Sequence, residues 1–144
     1  MIPMLLLQLA LLLQAAPPSM PAPAPLGAIG QQALPARGCA AFLWSAAGDR
    51  NLIAMAGADP ARLRLSIGGR TLDLDRAGQN GAGNLGFAQV TDYGAGDLRV
   101  TLDMTIATRA DLAGGATVPS GTLVITRPAQ DVVVVPVAGL IGCT

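Results

Sequence analysis

A β-hairpin at residues 61–76 is the sequence feature that most restricts the fold of this chain. Gly68-Gly69 lies at its centre and suits a two-residue turn, because glycine readily adopts the positive φ angles that such turns require. A turn at this position pairs leucine with leucine on one face and arginine with aspartate on the other: Leu63 with Leu74, Leu65 with Leu72, Arg62 with Asp75, and Arg64 with Asp73. Because the apolar and the charged pattern agree on one register, the sequence predicts an antiparallel hairpin with one buried face.

The rest of the chain beyond residue 38 follows a similar pattern. Short apolar runs are separated by Gly, Asp, Asn and Pro at intervals of about ten residues, which is typical of sandwiches and barrels. Residues 98–106 alternate strictly between apolar and polar side chains, which predicts a long half-buried strand. The predicted strands are 39–46, 51–57, 61–68, 70–76, 85–92, 98–108, 122–127 and 131–138. We therefore expect an all-β fold, an antiparallel β-sandwich or barrel of about eight strands.

Two segments give less definite predictions. Residues 93–97 are expected to link two strands as a hairpin with a longer loop, and residues 109–115 as a single turn. Residues 132–137 are apolar at successive positions, which predicts burial on both faces of the sheet. Pro136, however, cannot donate to a ladder and indicates an edge or a bulge. The sequence leaves this conflict open.

Cys39 and Cys143 enclose the predicted β domain. In an exported protein an even pair of cysteines indicates a disulfide, which here would join the first predicted strand to the last. Two free thiols in a cytosolic protein are the alternative interpretation. Two cysteines without histidine or further cysteines are a poor set of metal ligands.

The N-terminus has the features of an export signal. Residues 4–13 form a largely apolar run that is shorter than the roughly 20 residues of a membrane span and fits the apolar part of a signal peptide. Small residues follow, and cleavage is expected after Ala15. The predicted organisation is therefore a signal peptide at 1–15, a Pro/Ala-rich linker at 16–36 and a single β domain at 37–144. An uncleaved short anchor is the alternative.

The charges exclude several classes of function. The formal net charge is zero, and all nine basic residues are arginine and all nine acidic residues aspartate, since lysine, glutamate and histidine are absent. A histidine general base, a lysine Schiff base and a histidine-ligated zinc site are thus excluded. The arginines form no cluster of the kind that nucleic-acid binding needs. We expect no cofactor, no nucleic-acid partner and, after signal cleavage, no membrane span.

Two short motifs resemble ligand-binding loops but have simpler interpretations. Residues 81–86 match G-x-G-x-x-G, yet the residues that follow predict a strand, whereas a dinucleotide site needs a helix there. Residues 73–78 match D-x-D-x-x-G, the start of a calcium loop, but the later ligand positions do not fit and both aspartates have arginine partners in the predicted hairpin. A glycine-rich surface loop and a paired strand face are the expected structures.

The remaining candidates are carboxylates and aromatic side chains. Asp92, Asp97 and Asp103 lie within one predicted hairpin, but nothing singles out a pair with the separation that acid–base catalysis needs. Phe42 and Trp44 are two residues apart and share one face of their strand. They form either core or a platform for a partner, and the same choice applies to Tyr93.

A signal peptide, a tether and a β domain with one disulfide are typical of small exported bacterial proteins. We therefore expect a periplasmic or extracellular non-enzymatic domain that binds a protein or an envelope component, or serves as a structural module of the envelope. A small inhibitor of an envelope-attacking hydrolase would be one such binding protein. A hydrolase that uses aspartate carboxylates on glycans or peptides is the enzymatic alternative. The sequence leaves the oligomeric state open.

Overall fold

The computed structural model describes residues 26–144, which contain nine β-strands, all antiparallel, and no helix. The predicted signal peptide and the first part of the predicted linker lie outside these residues. The strands are β1 Leu26–Gly27, β2 Cys39–Ser45, β3 Leu52–Gly57, β4 Arg62–Ile67, β5 Arg70–Asn80, β6 Val90–Ala95, β7 Leu98–Ala107, β8 Gly115–Thr126 and β9 Val133–Cys143. The prediction of an all-β fold is confirmed.

Eight of the strands form a closed barrel. Each strand from β2 to β9 pairs with its neighbours in sequence, and β9 pairs back with β2. The sheet is thus an up-and-down meander that closes on itself, and every barrel strand has a partner on both sides. The sequence left open whether the fold is a sandwich or a barrel, and the structure is a barrel.

Alternate residues of each strand point into the barrel and fill it. The interior is one continuous cluster of aliphatic side chains with Tyr93 and Phe87 among them, and most members are fully buried. This arrangement follows from the two-residue period of the strands, since it sends apolar side chains inward and leaves the intervening ones outside. The barrel interior is therefore a packed core.

The hairpin at residues 61–76 has the predicted register. Leu63 pairs with Leu74 and Leu65 with Leu72, and all four side chains face the core. On the outer face, Arg62 Nε donates to Asp75 at 2.9 Å, and Arg64 donates to both carboxylate oxygens of Asp73. Gly68 and Gly69 both have positive φ angles, as the predicted turn requires.

Several predicted elements need correction. The strand predicted at 85–92 is β6 at Val90–Ala95, because residues 81–89 form a glycine-containing loop in which Asn84 and Phe87 bridge. The longer loop predicted at 93–97 is a two-residue turn at Gly96-Asp97, since Ala95 pairs with Leu98. The last two strands are longer than predicted. β8 begins earlier, at Gly115, and β9 extends farther, to Cys143.

Pro136 lies inside β9, and its position resolves the conflict that the sequence left open. Its carbonyl accepts a hydrogen bond from the Ala46 N–H, so the side of Pro136 that lacks an N–H faces β2 just beyond the end of that strand. The expected burial of 132–137 on both faces is wrong. Val133, Val135 and Val137 belong to the core side, whereas Val134 is 60% exposed on the outer side.

The chain before β2 lies against the outside of the barrel. β1 pairs with the end of β4, and the Ile29 N–H donates to the carbonyl of Leu52 in β3. Farther along, Gln32 accepts from Arg64, and the hydroxyl of Thr144 donates to the Pro35 carbonyl. Residues 26–36 of the predicted linker thus have fixed contacts with two strands, β3 and β4, and with the C-terminus.

Candidate functional site

Within the barrel strands, charged residues occur in only one half of the barrel. The four adjacent strands β4, β5, β6 and β7, here called the charged half, carry five arginines and four aspartates. The other four adjacent strands, β8, β9, β2 and β3, carry no charged residue. Since a solvated barrel normally places charges around its whole circumference, this asymmetry marks the uncharged strands as the candidate functional surface.

Residues 26–36 lie against β4 and the start of β3. The outer surface of β2, β9 and β8 is here called the uncharged face. Val134 and Leu140 are 60% and 50% exposed on this face. Charged residues occur only in the loops at its two ends, such as Arg127 and Asp131. The outward side chains that define the face are Phe42 and Trp44 on β2, Val134, Pro136, Ala138 and Leu140 on β9, and Thr117, Thr122 and Val124 on β8.

One end of the uncharged face deepens into a shallow groove. Leu34, which precedes β2, forms one wall, and Leu112 in the loop before β8 forms the other. Phe42 and Leu140, which pair directly across β2 and β9, lie between the walls. The lining contains no charged residue, so the groove suits an apolar side chain of a partner.

The three aromatic candidates separate into two environments. Phe42 and Trp44 point out of the barrel, are half-buried and contribute to the uncharged face. Tyr93 points into the barrel and is only 1% exposed. Tyr93 is two residues from the buried Thr91 in β6 and pairs with the buried Val100 in β7, so its side chain shares their inward face. It therefore offers no surface to a partner. Of the predicted partner-binding residues, only Phe42 and Trp44 therefore lie on the surface.

Burial gives Tyr93 a testable effect on stability at high pH. Desolvation raises the pKa of Tyr93, because the phenolate is unfavourable inside the barrel. The folded-state pKa thus lies above the unfolded value, so Tyr93 contributes stability that is complete below about pH 10 and is lost as the pH rises through the folded-state pKa. The chain contains neither lysine nor histidine, so no side chain of these types titrates together with Tyr93.

We expect Tyr93→Phe to abolish most of the fall in unfolding free energy between about pH 8.5 and pH 11, since it keeps the ring and removes the ionisable hydroxyl. Urea unfolding of both proteins at the two pH values measures the effect. Comparing the change with pH in each protein removes any constant cost of the substitution. An equal fall in both would contradict the assignment to Tyr93.

The aspartates considered for catalysis lie on the outer side of the β6–β7 hairpin or in its turn. Asp92 accepts a hydrogen bond from the Thr101 hydroxyl at 2.6 Å. Asp97 lies in the exposed turn between β6 and β7. Asp103 lies opposite Val90 on the outer side of β7. None of these contacts brings two carboxylates together in a cleft, which is the arrangement that an aspartate-dependent hydrolase requires.

One cleft does contain two carboxylates, Asp59 and Asp73. It has a volume of about 230 Å³ and lies between residue 35, the start of β2 and the outer side of β4. The paired Arg64 guanidinium, which donates hydrogen bonds to Asp73, lowers the pKa of that carboxyl. A carboxylate held ionised in this way is poorly suited to act as a general acid near neutral pH.

The two short motifs have the simple structures that the sequence favoured. Residues 81–86 belong to the loop between β5 and β6, and no helix follows them. Asp73 and Asp75 pair with Arg64 and Arg62. Within residues 26–144 no group of three potential ligand side chains is placed to hold a metal ion. The same part of the chain contains no helix of the length and apolarity needed to cross a membrane.

The predicted disulfide is present and closes the barrel. Cys39 and Cys143 pair directly across β2 and β9, with their Cα atoms 4.0 Å apart. Backbone hydrogen bonds from Thr144 to Gly38 and from Cys143 to Gly114 lie beside it. The disulfide therefore joins the first and last barrel strands at one end of the uncharged face. A structural disulfide of this kind is typical of oxidising compartments.

Sequence reasoning did not single out Leu34, Val134 and Leu140. Each lies in an apolar segment that predicted either linker or core, and their exposure depends on which face of β9 closes the barrel. One signal was available in the sequence. The predicted strands 61–68, 70–76 and 98–108 carry charged residues at interior positions, whereas 39–46 and 51–57 carry none, and 122–127 and 131–138 carry a charge only at a terminal residue, Arg127 or Asp131.

The chain has no detected relative that would assign this surface a role. Comparison with protein-family models, with curated proteins and with solved structures finds no match.

Proposed function

We propose that the protein is an exported, non-enzymatic β-barrel module that acts by binding a protein through its uncharged face, in the periplasm or outside the cell. One observation carries the proposal, namely that four adjacent strands lack any charge while the other four carry nine charged side chains. Large apolar patches on a soluble protein are typical of interaction sites, and aromatic residues are favoured in them.

The geometry of the barrel also favours binding through a face. All barrel strands are paired on both sides, so a partner cannot add a strand to the sheet at an exposed edge. The packed core likewise favours an outer surface over the interior as the place of contact. Inhibition of an envelope-attacking hydrolase would be one form of such binding.

The disulfide supports export. Cys39–Cys143 is the kind of bond that forms and persists in oxidising compartments, and residues 1–15 have the composition of a signal peptide. Both features agree with a periplasmic or extracellular location.

Site-specific photocrosslinking tests the proposal. A photoreactive amino acid at Leu140, in the groove at one end of the uncharged face, should give a discrete adduct in cells that export the protein. The matched control is Thr105, an exposed outward residue of β7 in the charged half. We expect the Thr105 variant to give at least tenfold less adduct. Equal yields at both positions, or no adduct at Leu140, would count against binding through this face.

A further inference from the structure

We infer that the uncharged face binds the same face of a second copy of this chain, forming a reversible two-fold dimer centred on Ala138. The inference deepens the proposed function and rests on it, because it names the occupant of the same surface. A second copy is favoured first by charge. The uncharged face of one copy can be covered by the same face of another copy without burying an unpaired arginine or aspartate. Among the surfaces of residues 26–144, no other offers this match.

The outward side chains of β9 are self-complementary about Ala138. Ala138 is the smallest outward side chain within β9 apart from Gly142, so two copies can approach most closely there. When two β9 strands face each other in opposite directions about this residue, Leu140 of each copy lies opposite Pro136 of the other. Val134 lies opposite Gly142, whose outer side Leu34 covers. Val134 and Leu140, the most exposed apolar side chains of β9, would thus each meet an apolar residue of the other copy.

The two aromatic residues flank this centre. Trp44 pairs with Ala138 across β2 and β9, and Phe42 pairs with Leu140. A two-fold axis through Ala138 would therefore place one Trp44 on each side of the contact, and both would lose solvent exposure. Aromatic side chains at the centre of an interface contribute more binding energy than those at its rim.

The size of the face sets the expected strength of the dimer. Three strands spaced by about 4.8 Å and a β9 rise of about 3.4 Å per residue give a contact of roughly 500 Å² per copy. A stable protein–protein interface buries about 800 Å² per partner. Because the face is smaller and curves with the barrel, the dimer should dissociate on dilution, with monomer and dimer in rapid exchange.

Sedimentation equilibrium over a concentration series tests the inference on the purified chain with its disulfide intact. The wild-type mass should rise with concentration from that of a monomer to that of a dimer. Ala138→Arg and Ala138→Asp should each weaken the association at least tenfold, since each places two like charges at the two-fold axis. Thr105→Arg, on the charged half, is the matched control and should behave like wild type.

Mixing the two charged variants makes the test specific for the two-fold arrangement. Residue 138 faces its own counterpart, so equimolar A138R and A138D should associate with each other although neither associates with itself. If Ala138 variants fold poorly, as shown by a lowered unfolding midpoint, Leu140→Asp replaces them and should weaken association to a similar extent.

Three results would overturn the inference: a wild-type chain that stays monomeric at all concentrations, a variant A138R that associates as wild type does, or a mixture that fails to associate. A monomeric chain that still gives an adduct of another protein at Leu140 would overturn the dimer and leave the proposed function standing. A dimer with no adduct at Leu140 in cells would count against the proposed function instead.

Discussion

Replacing Cys39 and Cys143 together by alanine is expected to lower the free energy of unfolding by about 4 kcal/mol. The disulfide closes a loop with a sequence separation of 104, and the chain-entropy model assigns about 4.7 kcal/mol to a loop of roughly 100 residues. Because domains of this size have a total stability of about 5–15 kcal/mol, the loss should remove a large part of it. The cause is the wider range of conformations open to the unfolded chain.

Urea unfolding of C39A/C143A and wild type measures this loss. The wild-type protein under reducing conditions is the matched control and should lose a similar amount, since it lacks the same constraint without any change of side chain. A loss below about 1 kcal/mol would contradict the expectation and would indicate that the unfolded chain is already compact.

Gly139→Ala is expected to destabilise the protein by about 3 kcal/mol or more, because it crowds the strand pair that closes the barrel. Gly139 in β9 lies opposite Leu43 in β2 and Val118 in β8. A Cβ atom at this position would overlap the carbonyl oxygen of Phe42 and crowd the Cα atom of Leu43. Both are backbone atoms of β2, so the added methyl group can be accommodated only by moving the two strands apart.

Gly94→Ala supplies the matched control for this prediction. Gly94 is also a strand residue, in β6, but a Cβ atom there meets the side chain of Arg99, whose guanidinium end can move into solvent. We expect that substitution to change the unfolding free energy by less than about 1 kcal/mol. Thermal or urea unfolding of the two variants checks both values. Equal costs at the two positions would show that the closing strands tolerate separation.

The parts of the fold that could be predicted from the sequence are those with local constraints. The hairpin at 61–76 was predictable to the residue because Gly68-Gly69 fixes the turn and two side-chain patterns fix the register. The alternation of β7 was equally clear, since all its inward residues are apolar. In both cases the relevant partners are close in sequence, so turn chemistry and a two-residue period are sufficient information.

Other boundaries depend on contacts between distant residues. The first half of β8 contains Pro119-Ser120, which is typical of a turn, yet the strand passes through this point as a bulge because β7 and β9 hold it on both sides. The last strand likewise continues beyond its predicted end at residue 138, through Gly139 and Gly142. Pairing with β2 carries that strand on to Cys143.

The candidate site was only partly predictable for a related reason. Their spacing in the sequence placed Phe42 and Trp44 on the same face of β2, but it did not determine whether that face points into the barrel or out of it. That depends on whether the sheet closes and on which side the core forms, and both follow from the pairing of β9 with β2. The exposure of Val134 follows from the same closure. The absence of charge on neighbouring strands becomes a continuous surface only once the strand order is known.

The placement of the aromatic residues also gives the protein two independent optical probes. The chain has one tryptophan and one tyrosine, and they lie on opposite sides of the barrel wall. Trp44 emission should respond to whatever covers the outside, while near-ultraviolet dichroism of Tyr93 should persist until the interior melts. If a binding partner changes the Trp44 emission and leaves the Tyr93 dichroism constant, the two signals together would report association at the surface of an intact barrel. No added label would be needed.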